Sequence, residues 1–284
     1  MGDKMLYADL HIHSNYSDGR LSPEEIVNLS IQKDIKCISI TDHDTIDSQY
    51  IVKKFSSDKK ITLVSGLELS SQYKDIEIHI LAYFIDINNR NLKINLDEIK
   101  NSRQERAKQI IENLKKIDVN ISFDEISSES FGDSIGRVHI AKLLVKKGYA
   151  AHTKEAFQRY LIKGRPAFVE RCKIDYKEAL KLINDANGVA VLAHPGEIYK
   201  NIMIEKIIKD LKIYGLKGIE VFHPAHSSME SSKYYSMAKK YSLVITGGSD
   251  SHGTIVNGDY TLGTIGMDKT LTCKFLDYDT SNNS

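Results

Sequence analysis

Two kinds of apolar spacing alternate along both ends of the chain. Near the amino terminus Met5, Tyr7, Leu10 and Ile12 form a short run of β-forming bulk without Gly or Pro. Ser22-Pro23-Glu24-Glu25 then opens a helix: Ser22 can cap, Pro23 takes the first helical position and Glu25 completes a capping box. Ile26, Val27, Leu29, Ser30 and Lys33 follow at helical spacing. The pattern then predicts a strand over 36–41, a helix over about 46–56, a strand over 61–64 leading to Gly66-Leu67-Glu68, and a strand over 76–84. The same rhythm returns later. Helices are expected over 176–186, 202–214 and 231–241, and strands over 189–193, 218–222 and 243–246. Short apolar strands separated by amphipathic helices imply parallel strands with helices packed outside. Leu262 to Ile265 is a candidate edge strand, and the polar tail beyond Asp277 is expected to be loose.

Between about Ile87 and Lys163 the rhythm is helical only, with helices predicted over 95–116, 123–130, 136–147 and 153–161. Ile99, Ala107, Ile110, Ile111 and Leu114 share one side of the first. The predicted organisation is a discontinuous barrel from 1–86 and 164–267, a helical insertion over 87–163 that caps its mouth, and a tail over 268–284. No internal repeat is found.

Composition narrows the classes. The chain of 284 residues has a formal net charge of +1, without the basic footprint of a duplex-binding module. Cys37, Cys172 and Cys273 are scattered, which argues against a disulfide framework and fits a reducing cytoplasm. The first strand is expected to begin almost at once, so no signal peptide is expected, and no apolar run approaches the roughly 20 residues of a membrane span. Cys37 lies mid-strand and is expected to be inert core.

The chemistry collects where strands end. His11 and His13 alternate along a strand, so they project from one face, and Asp18 follows in a Ser/Asn/Asp/Gly turn that can fold back over the strand end. Alone, such a pair is as consistent with surface or core-rim histidines. His43, Glu68, His194, His223, and Asp250 with His252 stand at or just after other predicted strand ends, and His79 lies within a strand. Of ten histidines only His139 and His152 fall in the insertion. In a β/α barrel the carboxyl ends of the strands converge on one face, where the chemistry is placed. Imidazoles mixed with carboxylates and without thiolates suit Zn, Mn or Fe. The set is too large for one tetrahedral ion, and Glu68 is the natural bridge between ions. Asp42 and Asp44 are expected to orient imidazoles from behind.

Asp9-Leu-His-Ile-His-Ser-Asn-Tyr-Ser-Asp-Gly, Thr41-Asp-His-Asp, Gly66-Leu-Glu68, His79, His194-Pro and Ser249-Asp-Ser-His252 resemble the polymerase and histidinol phosphatase (PHP) family. Gly136-Arg-Val-His139, Lys163-Gly-Arg-Pro-Ala and Glu220-Val-Phe-His-Pro-Ala-His226 resemble its subgroup of small-nucleotide phosphatases and short-RNA 5′ exonucleases, with Val138 where the subgroup usually has proline. The resemblance implies an α/β fold with a distorted seven-stranded (β/α)7 barrel, an inserted helical cap and a trinuclear site of three divalent ions, manganese first, with iron or zinc as alternatives. It assigns His11, His13, Glu68 and Asp250 to one ion, Glu68, His79 and His194 to a second, and Asp18, His43 and His252 to the third.

The implied activity is metal-dependent phosphoester hydrolysis of nucleoside 3′,5′-bisphosphates or stepwise 5′ trimming of short single-stranded RNA, by attack of metal-activated hydroxide on phosphorus. In it His194 serves catalysis from the metal set. Arg137 is the candidate phosphate clamp, its alternative a surface charge in a first helical turn. Lys163 and Arg165 are further substrate candidates, or structural residues at the exit of the insertion. His223 and His226 either bind substrate and pass a proton to the leaving oxygen, or build a turn around Pro224. His139 is expected to pack in its helix, His152 has no assigned role, and Tyr234-Tyr235 reads as packing. The competing enzyme classes are an amidohydrolase-like C–N or C–O hydrolase, whose ions are usually bridged by a lysine, and a histidinol-phosphate-type phosphatase. A metal-stabilised binding module is the non-enzyme alternative. Neither duplex DNA nor a membrane is expected as a partner.

Overall fold

A computed structural model describes residues 6–55, 60–129, 135–170, 173–198 and 203–282. Cys172 lies outside them. The first βα unit follows the pattern: β1 (Ala8–Ile12) is buried throughout, and α1 (Pro23–Gln32) starts with the Ser22/Glu25 capping box and turns Ile26, Val27 and Ser30 inward. β2 (Cys37–Ile40) and α2 (Asp47–Val52) follow, then the two-residue β3 (Thr62–Leu63). These three strands pair in parallel in the order β1-β2-β3.

A long hairpin departs from the expected rhythm. Gly66 to Tyr73 is a strand of its own, β4, paired antiparallel over its whole length with β5 (Ile76–Tyr83). Glu68 therefore sits inside a buried strand, not in the turn after β3. β5 pairs antiparallel with β7 (Val189–Leu192), while β7, β8 (Gly218–Phe222) and β9 (Val244–Gly247) are parallel, and the short β6 (Ile174–Asp175) pairs with β4. The strand order is β6-β4-β5-β7-β8-β9. Single bridges at Ile12–Ser251 and His43–Glu68 join this sheet to the first one. The architecture is mixed α/β, and among the described residues no continuous ladder closes a barrel.

Between β5 and β6 lie α3 (Arg90–Lys115), α4 (Phe123–Glu129), α5 (Arg137–Lys146) and α6 (Thr153–Ala156), which continues as a π-helical turn over Phe157–Leu161. The long α3 serves two cores. Leu92 and Leu96 pack with the strand core, whereas Ala107, Ile110 and Leu114 belong to a separate cluster with Ile126, Ile140, Leu144 and Leu161. The helices α7 (Tyr176–Asp185), α8 (Ile204–Ile213) and α9 (Ser228–Lys240) cover the sheet. α9 also carries a capping box, from Ser227 and Glu230.

Two carboxyl-terminal expectations are corrected. Leu262–Ile265 form turns; the added pairing is instead the hairpin β10 (Ile255–Val256) and β11 (Asp259–Tyr260). Asn257-Gly258, both at positive φ, makes its turn, which is the residue pair such turns favour. The tail is helical: α10 (Lys269–Asn282) buries Phe275 against Tyr83 and Phe84, with ring centroids 5.2 and 4.8 Å away. No helix among the described residues is long and apolar enough to cross a membrane.

Candidate metal centre

The ends of β1, β2, β7 and β9 meet the β4–β5 hairpin at one place, and the backbone there is tight. A side-chain carbon on Gly248, just past β9, would lie 2.3 Å from the His11 nitrogen, so only glycine lets β9 approach β1 this closely. His194 (φ +22°) and Asp250 (φ +49°) occupy left-handed backbone conformations that side chains rarely adopt. Such strain persists only where surrounding contacts impose it. At His194 one contact is the hydrogen bond from its amide to Glu220 Oε2, 2.7 Å.

All nine sequence-predicted ligands come together. His11 Nε2 and His13 Nε2 lie 3.1 Å apart. Asp250 Oδ1 is 3.4 and 3.0 Å from them, and Glu68 Oε2 3.4 and 3.3 Å. The other Glu68 oxygen, Oε1, is 2.9 Å from both His79 Nδ1 and His194 Nε2. Asp18 Oδ1 stands 3.2 Å from His252 Nε2, and these two group with His13 and His43. The grouping differs in detail from the expected one: His79 clusters with His43 and Glu68, and His194 with His11 and Glu68. Glu68 faces imidazoles through both oxygens, so the bridging role read for it from sequence has the geometry it needs.

The donor set suits cations. Glu68 Oε2 is buried with the ring nitrogens of His43, His13 and His11 at 3.0, 3.3 and 3.4 Å, and Oε1 has those of His79 and His194 at 2.9 Å. Buried lone pairs converging in this way are costly without a shared positive charge. Burial opposes the charge on Glu68, yet the imidazoles of His43, His79 and His11 hold its carboxyl well below the usual range. Burial likewise opposes the charge on Asp250, and His11 and His13 hold it low. His43 is pushed down to about 3, chiefly by burial. For His13 burial is outweighed by Asp250 and Glu68, which push it up to about 10. Anionic carboxylates and a neutral His43 are ligand-competent forms, whereas His13 must lose its proton to bind.

The supporting residues were only partly foreseen. Glu220, in the middle of β8 and fully buried, accepts from His11 Nδ1 at 3.0 Å and so turns His11 Nε2 toward the cluster. Asp42 touches the turn rather than an imidazole: it accepts from the Ser14 amide, the Ser14 hydroxyl and the Ser17 hydroxyl, each at 2.7 Å, which folds Asp18 back over the strand end. Asp44 accepts from the Ser70 amide and pairs with Arg103 of α3.

The substrate candidates separate. Arg137, Arg103 and Arg106 line a cavity of about 230 Å³ between the helices and the cluster, together with Asp18, His43 and His79. Arg137 also lies over the Phe157 ring and reaches Leu161 O. Lys163 and Arg165 stand exposed on the turn after the π-helical segment and do not line this cavity; the Arg165 amide bonds to Ile162 O in that turn. His226 has both ring nitrogens committed to backbone, Nδ1 donating to Val221 O and Nε2 accepting from the Gly196 amide, each at 3.0 Å. This arrangement ties two strand-end loops together. His223 accepts from the Ala225 amide on Nδ1, leaving Nε2 to carry the proton, 3.4 Å from Asp250 Oδ2. His139 caps α5 by accepting the Gly136 amide on Nδ1 and also lines the cavity. His152 caps α6. Tyr234 is buried against His226, and burial pushes the Cys37 thiol up to about 12.

Fold and site together define an α/β protein with a buried cluster of imidazoles and carboxylates able to bind metal at its strand ends, beside a cavity lined by arginines of α3 and α5. The chain belongs to the PHP domain family, whose model matches residues 9–170. It is 31% identical to a 5′-3′ exoribonuclease of Haemophilus influenzae over 86% of this chain and 89% of that one. It is 30% identical to a 3′,5′-nucleoside bisphosphate phosphatase of Chromobacterium violaceum over 87% and 88%. Among solved structures, one described as an amidohydrolase from C. violaceum, with bound sulfate and no metal, superposes with a TM-score of 0.85 at 28% identity, covering 96% of each chain. Another, described as a metal-dependent phosphoesterase from Bifidobacterium adolescentis, gives 0.85 at 25% identity over 95% of each.

Proposed function

We propose that the chain is a metal-dependent phosphoesterase that removes phosphate from small nucleotides of the nucleoside 3′,5′-bisphosphate type and trims short RNA from the 5′ end. The observation that carries this reading is Glu68, buried, with one oxygen facing His11 and His13 and the other facing His79 and His194. That is the donor pattern of a bridged cluster. His11, His13, Glu68 and Asp250 would hold one cation, Glu68, His79 and His194 a second, and Asp18, His43 and His252 a third, with manganese as the working ion. When bound, the cations supply Lewis acidity and make water a nucleophile at neutral pH.

The remaining work falls to the chain's own side chains. Arg137 holds the non-bridging phosphate oxygens, which a guanidinium fork matches. His223 presents its Nε2 proton beside Asp250, where it can hydrogen-bond the leaving oxygen. His226 keeps the loops of His194 and His223 in register. Residues 87–163 act as a cap, and the body comprises 1–86 and 164–267. The bridges at Ile12–Ser251 and His43–Glu68 support reading β2, β1, β9, β8, β7, β5 and β4 as a distorted seven-stranded ring. A cavity of about 230 Å³ favours one nucleotide or a strand end over a duplex. Scattered cysteines fit a cytoplasmic setting.

A C–N hydrolase is the second reading, because one structural neighbour is described as an amidohydrolase. Against it, Glu68 faces imidazoles through both oxygens, as a bridging carboxylate would, and the cavity is lined by arginines, which suit phosphate better than an amide. The test is a panel of a nucleoside 3′,5′-bisphosphate, a nucleoside 5′-monophosphate, histidinol phosphate, a 5′-phosphorylated short RNA and amide substrates, with purified protein and Mn²⁺. Release of phosphate or mononucleotide from the nucleotide substrates is expected. Turnover of amides alone, or of nothing, would reject the assignment.

A further inference from the structure

One hydroxyl on the strand side of the cavity has no partner in the protein. Glu68 and Ser70 alternate along β4, so their side chains leave the same face of the strand. Glu68 enters the imidazole–carboxylate cluster, and Ser70 lines the cavity beside it, together with His43, His79, Arg103 and Arg137. In the β4–β5 hairpin Ser70 stands directly opposite His79. Its amide donates to Asp44 Oδ1 at 2.7 Å, which fixes the backbone there. Ser70 is only 3% exposed, yet its buried Oγ makes no hydrogen bond. Among the described residues no other buried hydroxyl without a partner lines this cavity. The next residue shows the ordinary arrangement. Ser71, on the opposite face, donates its hydroxyl to Ile174 O of β6 at 3.1 Å.

Burying a hydroxyl without a hydrogen bond is costly, and such a group in a folded protein calls for a reason. We propose that Ser70 is a substrate-contacting residue, whose hydroxyl donates to an oxygen of the phosphate being cleaved. The inference rests on the phosphoesterase reading above and adds a residue to it. A phosphate on the cluster side of the cavity, beside His43 and His79, meets Ser70 next to them. Ionised phosphate oxygens accept, and a hydroxyl rotates to turn its one proton toward them. A bond to a charged oxygen is stronger than one between neutral groups. The bound phosphate therefore satisfies the hydroxyl that the folded chain leaves unpaired.

The experiment compares the full chain with Ser70→Ala, Ser70→Thr and, as a control, Ser71→Ala. Calorimetry gives the affinity of the Mn²⁺-loaded protein for inorganic phosphate. Kinetics give kcat/KM for a nucleoside 3′,5′-bisphosphate, and the melting temperature is taken after chelation. In Ser70→Ala, phosphate affinity and kcat/KM are expected to fall together by about 10- to 100-fold, the scale of a lost hydrogen bond to a charged group. Its melting temperature should hold or rise, because the hydroxyl removed has no partner in the fold. Ser70→Thr keeps a hydroxyl and should recover part of the affinity. Ser71→Ala should do the reverse, with a lower melting temperature and unchanged phosphate affinity. Unchanged phosphate affinity in Ser70→Ala would overturn the proposal, as would a melting temperature lowered as far as in Ser71→Ala, or a wild-type protein that binds no phosphate. A wild-type protein that binds phosphate but hydrolyses no nucleotide would count against the phosphoesterase reading instead, and the phosphate affinities would still judge Ser70.

Discussion

At Glu220 two demands meet in one carboxylate, which accepts the His11 Nδ1 proton and the His194 amide at once. Replacing it by Gln keeps the shape but removes the charge that fixes the His11 tautomer. Glu220→Gln is expected to weaken cation binding by about 10- to 100-fold, as loss of such an outer partner does, with the fold retained by circular dichroism. Unaltered metal affinity would contradict this role. His226 calls for the opposite outcome. Its ring joins the Val221 carbonyl to the Gly196 amide, and Gly196 is required because a side-chain carbon there would lie 2.4 Å from the ring. His226→Ala should cost about 1–3 kcal/mol for each buried group left unpaired and lower the melting temperature. A proton shuttle would instead lose kcat at unchanged melting temperature. Most of the nine clustered residues were legible as polar groups at or just past the edge of an apolar run, and His79 as an imidazole among Ile78, Ile80 and Leu81. Glu220 was not singled out, although a lone carboxylate inside Gly-Ile-Glu-Val-Phe is itself a signal. The cavity-lining Arg103 and Arg106 were hidden among the many charges of α3.

Among the elements, β4 and α10 escaped the sequence pattern for the same reason: polar residues interrupt them. Gly66-Leu-Glu-Leu-Ser-Ser-Gln-Tyr contains too few apolar positions to read as a central strand, yet all but one of its residues are buried, because β5 and the imidazole–carboxylate cluster cover it. The carboxyl-terminal segment reads as a polar tail, but Phe275 gives α10 one anchor, 1% exposed. Phe275→Ala is expected to destabilise the protein by about 3–5 kcal/mol, measured by denaturant unfolding. A change within error would mean that the helix does not dock. By contrast, the helices between β5 and β6 were readable from their stripes and breakers, since they have a core of their own.

Over the whole molecule, cation binding, protonation and stability are coupled. His13, pushed up to about 10 by Asp250 and Glu68 against the effect of burial, carries a proton at neutral pH in the cation-free protein. A cation must displace it, so binding releases protons and apparent affinity rises with pH between about 7 and 9. Calorimetry in buffers of different ionisation enthalpy checks this: the observed heat should depend on the buffer, and equal heats would contradict it. The same cations relieve the crowding of buried donors, so chelation is expected to lower the melting temperature as well as activity. The most direct test of the account is a titration of chelator-treated protein with Mn²⁺, following phosphate release from a nucleoside 3′,5′-bisphosphate. The account predicts that activity is absent at the start and saturates near three equivalents per chain. Full activity without added metal, or none at any metal concentration, would contradict it.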